Sequence, residues 1–262
     1  MPTARLAILL LVTVLGSCGG SPAEPQLGEG RRVLFIGNSY LYFGDIPGIV
    51  RALADSAGGD ELAVKTVAGA NLALIDHWKE GTAVREIRKG GWEWVVLQQG
   101  PSSVGINRDS LRLVTKLFAD EIAAVGATPA LFSAWPSQPR RQDFARAIES
   151  YTLAAADVDG LLLPVASAWL AAWERDPGLA LYADGLHSST AGAYLSALVI
   201  YSRLLDASPR GLPGTLRLAS GGTVSVDVER AALLQEAAEE AVSTLEPTGA
   251  PAARPSARGG VR

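Results

Sequence analysis

Cysteine occurs once, as Cys18, and histidine twice, as His77 and His187. No cluster of cysteine, histidine and acidic residues therefore has metal-ligand spacing, and neither a metal nor another cofactor is expected. Charge is sparse as well: charged residues make up 19% of the chain against 48% hydrophobic, which excludes a disordered chain and fits a fold with a buried parallel sheet. The formal net charge of −4 includes Arg5, the one charge in residues 1–17, and no segment carries a basic stripe, so nucleic acid is excluded as a partner. A membrane-spanning run is missing too. The apolar run 6–15 is about half the length needed to cross a bilayer, and it falls in the range of a signal-peptide core.

That run ends in Leu15-Gly16-Ser17-Cys18, which resembles the lipobox of bacterial lipoproteins, whose cysteine is lipidated and becomes the new N-terminus. A lone cysteine is ordinarily a small core residue, but Cys18 beside a signal core and before Gly19-Gly20-Ser21-Pro22 has no core to join. The resemblance implies a signal peptide at 1–17, lipid on Cys18 and a tether over 18–30. Each buried methylene adds about 0.8 kcal/mol of membrane affinity, so several acyl chains give a stable anchor. The same resemblance implies, from Gly19 where some lipoproteins carry aspartate, the outer membrane in a Gram-negative cell. The chain is thus expected to be exported and to meet the membrane through its N-terminal lipid.

From Arg31 onward short apolar runs alternate with amphipathic stretches, the pattern of parallel strands joined by crossover helices. Strands are predicted at 33–36, 62–67, 94–98, 129–133 and 161–165. A helix is predicted at 46–57, with Asp45 as its N-cap, Pro47 in the first turn and Gly58-Gly59 as its stop. Apolar residues at 111, 114, 117, 118, 122 and 125 give helical spacing over 110–125, closed by Gly126. Further helices are predicted at 190–205 and 228–245. Residues 246–262 lack periodicity and read as a disordered tail, leaving 31–245 as one domain.

The first strand leads directly into Gly37-Asn38-Ser39, which puts Ser39 just past a strand's C-terminal end, where open α/β sheets bind their ligands. A phosphate loop would need a G-x-x-x-x-G-K-[ST] spacing that residues 37–44 lack. A serine in such a turn often serves only as a cap. The alternative gains weight from Asp184-Gly185-Leu186-His187 in the last loop before the closing helix. A serine hydroxyl needs a base to accept its proton, and an imidazole suits that task near neutral pH. Three positions before it, Asp184 can hold Nδ1 of His187 while Nε2 faces Ser39.

Ser39 after strand one, Gly69 in Val67-Ala68-Gly69-Ala70, and Asp184 with His187 follow the order of three of the four sequence blocks of the SGNH (GDSL-like) hydrolases, which this chain resembles over roughly 31–205. The resemblance implies an α/β, three-layer α/β/α sandwich with a central, mostly parallel five-stranded sheet, and Ser39, Asp184 and His187 as catalytic residues of a serine hydrolase. The third block departs from the family, reading Leu97-Gln98-Gln99-Gly100-Pro101-Ser102 where a G-x-N is usual. Glutamine carries the same amide as asparagine on one more methylene, so Gln98 or Gln99 can supply the missing donor, with Ser102 a weaker option. The oxyanion hole would then comprise the Ser39 amide, the Gly69 amide and one glutamine, while Asn38 shapes the turn.

His77 and Trp135 are candidate substrate contacts. His77 stands on a predicted helix beside Asp76, with which an adjacent helix position cannot readily pair, and Trp135 follows the fourth strand at the catalytic edge, where an indole can carry a sugar; the plain reading of Trp135 is a core residue. The expected activity is hydrolysis of an ester, with short acyl groups on a carbohydrate preferred. The rival reading is a surface lipoprotein that binds glycan on the same fold without catalysis.

Overall fold

In the computed structural model, which describes residues 30–59 and 61–245, five short apolar segments form one sheet, all parallel, in the order β2-β1-β3-β4-β5. The strands are β1 (Arg31–Gly37), β2 (Leu62–Ala68), β3 (Trp94–Leu97), β4 (Thr128–Phe132) and β5 (Leu161–Leu163). Continuous hydrophobicity rather than alternation marks the central strands β1, β3 and β4, because helices cover both faces, whereas the edge strand β2 carries Lys65 and Thr66 and is only partly buried. Val33, Leu34, Phe35 and Ile36 are all fully buried, each worth about 1.5–3 kcal/mol relative to exposure. The proposed signal segment, Cys18, the tether before Gly30 and the tail at 246–262 lie outside the described residues.

One helical layer holds α3 (Leu74–Glu80), α4 (Thr82–Arg88), α5 (Gly105–Ala124) and α6 (Phe144–Ala156). The other holds α2 (Ile46–Ala57), α7 (Val165–Arg175) and α8 (Thr190–Leu205), with α9 (Val228–Ser243) packed outside on α7 and α8. A four-residue helix, α1 (Ser39–Tyr42), follows β1. Helix α2 starts and stops where the sequence signals place it: the Asp45 carboxylate accepts the Gly48 N–H at 3.2 Å, and Gly58 closes the helix at φ +70°. Helix α8 is apolar nearly all round, because α2 and α7 flank it and α9 covers it.

Two expectations need correction. The fifth strand stops at Leu163 rather than running to 165, because Pro164 has no N–H to give the ladder and Val165 opens α7. A short antiparallel hairpin, β6 (Thr215–Arg217) with β7 (Thr223–Ser225), lies outside the main sheet, and its three-residue strands are too short to give a periodic signal. Among the described residues no helix is long and apolar enough to cross a membrane.

The strand order sets the edge at which the candidate site lies. Connections from β1 lead outward to β2 on one side, whereas β3, β4 and β5 follow on the other, so the C-terminal ends of β1 and β3 flank the switch point of the sheet. Gly37-Asn38-Ser39 leaves the first of these ends and Gln98-Gln99 the second.

Candidate active site

Gly37 ends β1 pressed against Gln98: a Cβ there would lie 2.3 Å from Gln98 Oε1 and 2.8 Å from Leu41 Cδ1. The glycine is thus required by close approach. Next along the chain, the Asn38 N–H donates to Gln98 Oε1 at 2.9 Å, Gln98 Nε2 donates to Asn38 Oδ1 at 3.1 Å, and Asn38 Nδ2 donates to the Leu72 carbonyl at 2.9 Å. Asn38 also caps α1, with Oδ1 accepting the Tyr40 N–H at 3.2 Å. Ser39 is therefore delivered by a buried side-chain network into the first position of α1, where its own N–H has no acceptor within the described residues.

The acid–base loop is built differently. Asp184 Oδ1 accepts the backbone N–H groups of Leu186 at 2.9 Å and His187 at 2.7 Å, while Oδ2 accepts His187 Nδ1 at 2.7 Å. These three bonds, the His187 side chain's first, hold the Asp184 carboxyl well below the usual carboxylate range. Gly185 adopts φ +82°, a left-handed conformation that lets the loop fold back so tightly. Around it the Ala183 N–H reaches the His187 carbonyl at 2.8 Å and the Gln138 N–H reaches the Gly185 carbonyl at 2.7 Å. With Nδ1 donating to a carboxylate, Nε2 of His187 is the bare nitrogen, and it lies 2.9 Å from Ser39 Oγ. A hydroxyl, an imidazole and a carboxylate stand in one chain, the arrangement that moves a proton off a serine.

The remaining candidates fall elsewhere. Trp135 is fully buried, stacked on Trp169 at 4.1 Å, so it is no platform for substrate. Its indole N–H donates to the Leu186 carbonyl at 2.9 Å and so braces the acid–base loop from inside. His77 is also buried, at 1% exposure, with Nε2 donating to the Gly37 carbonyl at 2.7 Å. It too holds backbone and has no open face for substrate.

The expected oxyanion donors are largely engaged. The Gly69 N–H is given to the Gly37 carbonyl at 3.2 Å, which extends the β1–β2 ladder by one bond. Gln98 spends its amide on Asn38 and, at 2.5 Å, on the Gln99 carbonyl. Gln99 Nε2 donates one N–H to Ser102 Oγ at 2.8 Å while Oε1 accepts the Leu74 N–H at 3.1 Å, so one N–H of Gln99 is left. Gln98 and Gly69 are thus structural members of the site, and Ser102 acts as the acceptor that orients Gln99. Tyr151, buried on α6, was not foreseen; it accepts the Gln99 N–H at 3.1 Å and faces the Gln99 and Gly100 carbonyls at 2.8 and 3.0 Å. Burial pushes its phenol upward, keeping it a neutral donor. An isolated tyrosine on a helix gives no signal in the sequence that could have found it. Among the described residues no group of three His, Cys, Asp or Glu side chains is placed to hold a metal ion.

This fold has counterparts among solved structures. A candidate SGNH hydrolase from Slackia heliotrinireducens is 25% identical and superposes with a TM-score of 0.57, covering 67% of this chain and 99% of its own. The chain has the SGNH-hydrolase fold. A DUF4886 family protein from Bacteroides uniformis superposes with a TM-score of 0.66 at 15% identity, over 82% of this chain and 95% of its own. A lipase/acylhydrolase from Enterococcus faecalis gives 0.52 at 18% identity, over 66% and 95%. No family model matches the sequence, and no curated protein does either.

Proposed function

We propose that this SGNH-fold protein is a serine carboxylic ester hydrolase that works through an acyl-enzyme on Ser39. The observation that carries the reading is the continuous contact from Ser39 Oγ to His187 Nε2 at 2.9 Å and from His187 Nδ1 to Asp184 at 2.7 Å. Ser39 Oγ attacks the ester carbonyl carbon while its proton passes to Nε2. Asp184, ionised and hydrogen-bonded to Nδ1, stabilises the imidazolium. His187 then returns the proton to the departing alkoxide oxygen, and water, activated by the same nitrogen, releases the acid. The free Ser39 N–H at the start of α1 and the remaining N–H of Gln99 are the donors proposed for the oxyanion.

Short acyl groups on a carbohydrate are the proposed substrates. Tyr42, exposed just after the nucleophile, supplies the flat apolar surface that Trp135 does not. The engagement of the Gly69 and Gln98 amides favours the second reading, a glycan-binding protein without turnover. We also propose export and anchoring through lipid on Cys18; palmitate labelling that persists in Cys18→Ala would overturn it. For the enzyme, hydrolysis of p-nitrophenyl acetate by the full-length protein is expected to fall at least about 10³-fold in Ser39→Ala and in His187→Ala. Activity absent from the parent, or unchanged in Ser39→Ala, would move the binding reading to the front.

A further inference from the structure

Both nitrogens of His187 are engaged in the ring plane, one with Asp184 and one with Ser39, so only the ring faces remain to fix that plane. Phe43 covers one face: the centroids are 4.3 Å apart and the planes 13° from parallel. Tyr40 approaches at 6.4 Å with a 56° tilt. Phe43 is the residue that closes α1, its N–H donating to the Ser39 carbonyl at 3.0 Å, so the nucleophile and the stacked ring ride on one helical turn. The backbone that follows cannot drift. A Cβ on Gly44 would meet Ala193 Cβ at 2.7 Å and Ser188 Oγ at 3.0 Å, which places this turn hard against α8 and the residue after His187. Core packing does not account for the side chain, since Phe43 is 52% exposed.

We propose that Phe43 is a positioning residue for the general base, resting on the Ser39–His187–Asp184 reading above. Its ring holds the imidazole in the plane that aims Nε2 at Ser39. When the Ser39 O–H bond breaks and the Nε2–H bond forms, the charge on the imidazolium lies against the negative face of the phenyl ring, which stabilises it. When that proton leaves for the alkoxide oxygen, the neutral stack is restored. An aliphatic side chain of similar size fills the space and lacks the face.

The test is steady-state hydrolysis of p-nitrophenyl acetate by the full-length protein and its Phe43→Leu, Phe43→Trp and Ser39→Ala variants. Phe43→Leu is expected to lower kcat by about 3- to 10-fold with KM within about 2-fold and an unchanged melting temperature, and Phe43→Trp to restore kcat. In a His187→Gly background, added imidazole is expected to rescue turnover, and Phe43→Leu to remove that rescue; this readout stands even if the single variant loses stability. Parent-level kcat in Phe43→Leu, a change confined to KM, or imidazole rescue independent of Phe43 would each overturn the proposal. If instead Ser39→Ala keeps its activity, the nucleophile reading fails and Phe43 loses its role with it.

Discussion

The two halves of the site are held by opposite means. The turn that carries Ser39 is buried and fixed by side chains brought from far along the chain, Gln98 from 60 residues away and His77 from the helix layer beside it. The loop that carries Asp184 and His187 is partly exposed and held mainly by local bonds, with all three bonds to Asp184 arising within three residues, while Trp135 and Gln138 brace two of its carbonyls. The difference teaches where each half should fail. A defect in the serine turn has to propagate through the core, and a defect in the acid–base loop can silence chemistry while the fold stays intact.

Asp184→Asn gives the sharpest version of this contrast. An amide cannot hold His187 in the Nδ1–H tautomer as a carboxylate does, so kcat is expected to drop by about 10³- to 10⁴-fold with only a small fall in melting temperature at neutral pH. Gln98→Leu should show the reverse balance. It orphans the Asn38 N–H, and the expected loss is about 1–3 kcal/mol in denaturant unfolding, together with lower kcat. Equal effects of both substitutions on stability would erase the distinction between the halves.

Trp135→Phe keeps most of the buried stack on Trp169 and removes the N–H that braces the Leu186 carbonyl. A decrease of about 3- to 10-fold in kcat is expected, with a net loss of about 1 kcal/mol in stability. The smallest effect concerns pH. Because the Asp184 carboxyl is held below its unfolded value of about 3.9, its contribution to stability is present above that pH and is lost as pH falls through the folded value. The melting-temperature difference between the parent and Asp184→Asn should therefore shrink below about pH 4, and a difference that grows with acid would contradict the assignment.

Much of this was legible in the sequence, and the rest was not for identifiable reasons. Residues 33–36, 46–57 and 190–205 announce themselves because a buried strand, a capped helix and an apolar helix each leave a local pattern of residues. Asp184 and His187 are readable for the same reason, since their geometry is a matter of three positions. The spent amide of Gly69, the locked carboxamide of Gln98 and the inward-facing Trp135 leave no such pattern, because each depends on which atom of another segment lies opposite.

By itself, then, the sequence pointed to the parallel α/β architecture and to Ser39, His187 and Asp184 as the candidate serine, histidine and carboxylate. Hydrophobic runs, caps and short motif spacings act within a few residues, and the physics that reads them is local. Only the tertiary structure decided that Ser39 and His187, 148 residues apart, stand 2.9 Å from one another, that two of the expected oxyanion donors are engaged elsewhere, and that Phe43 lies flat on the imidazole. Hydrogen-bond donors and ring faces are finite, and which partner takes each is settled only when the sheet brings the ends of its strands together.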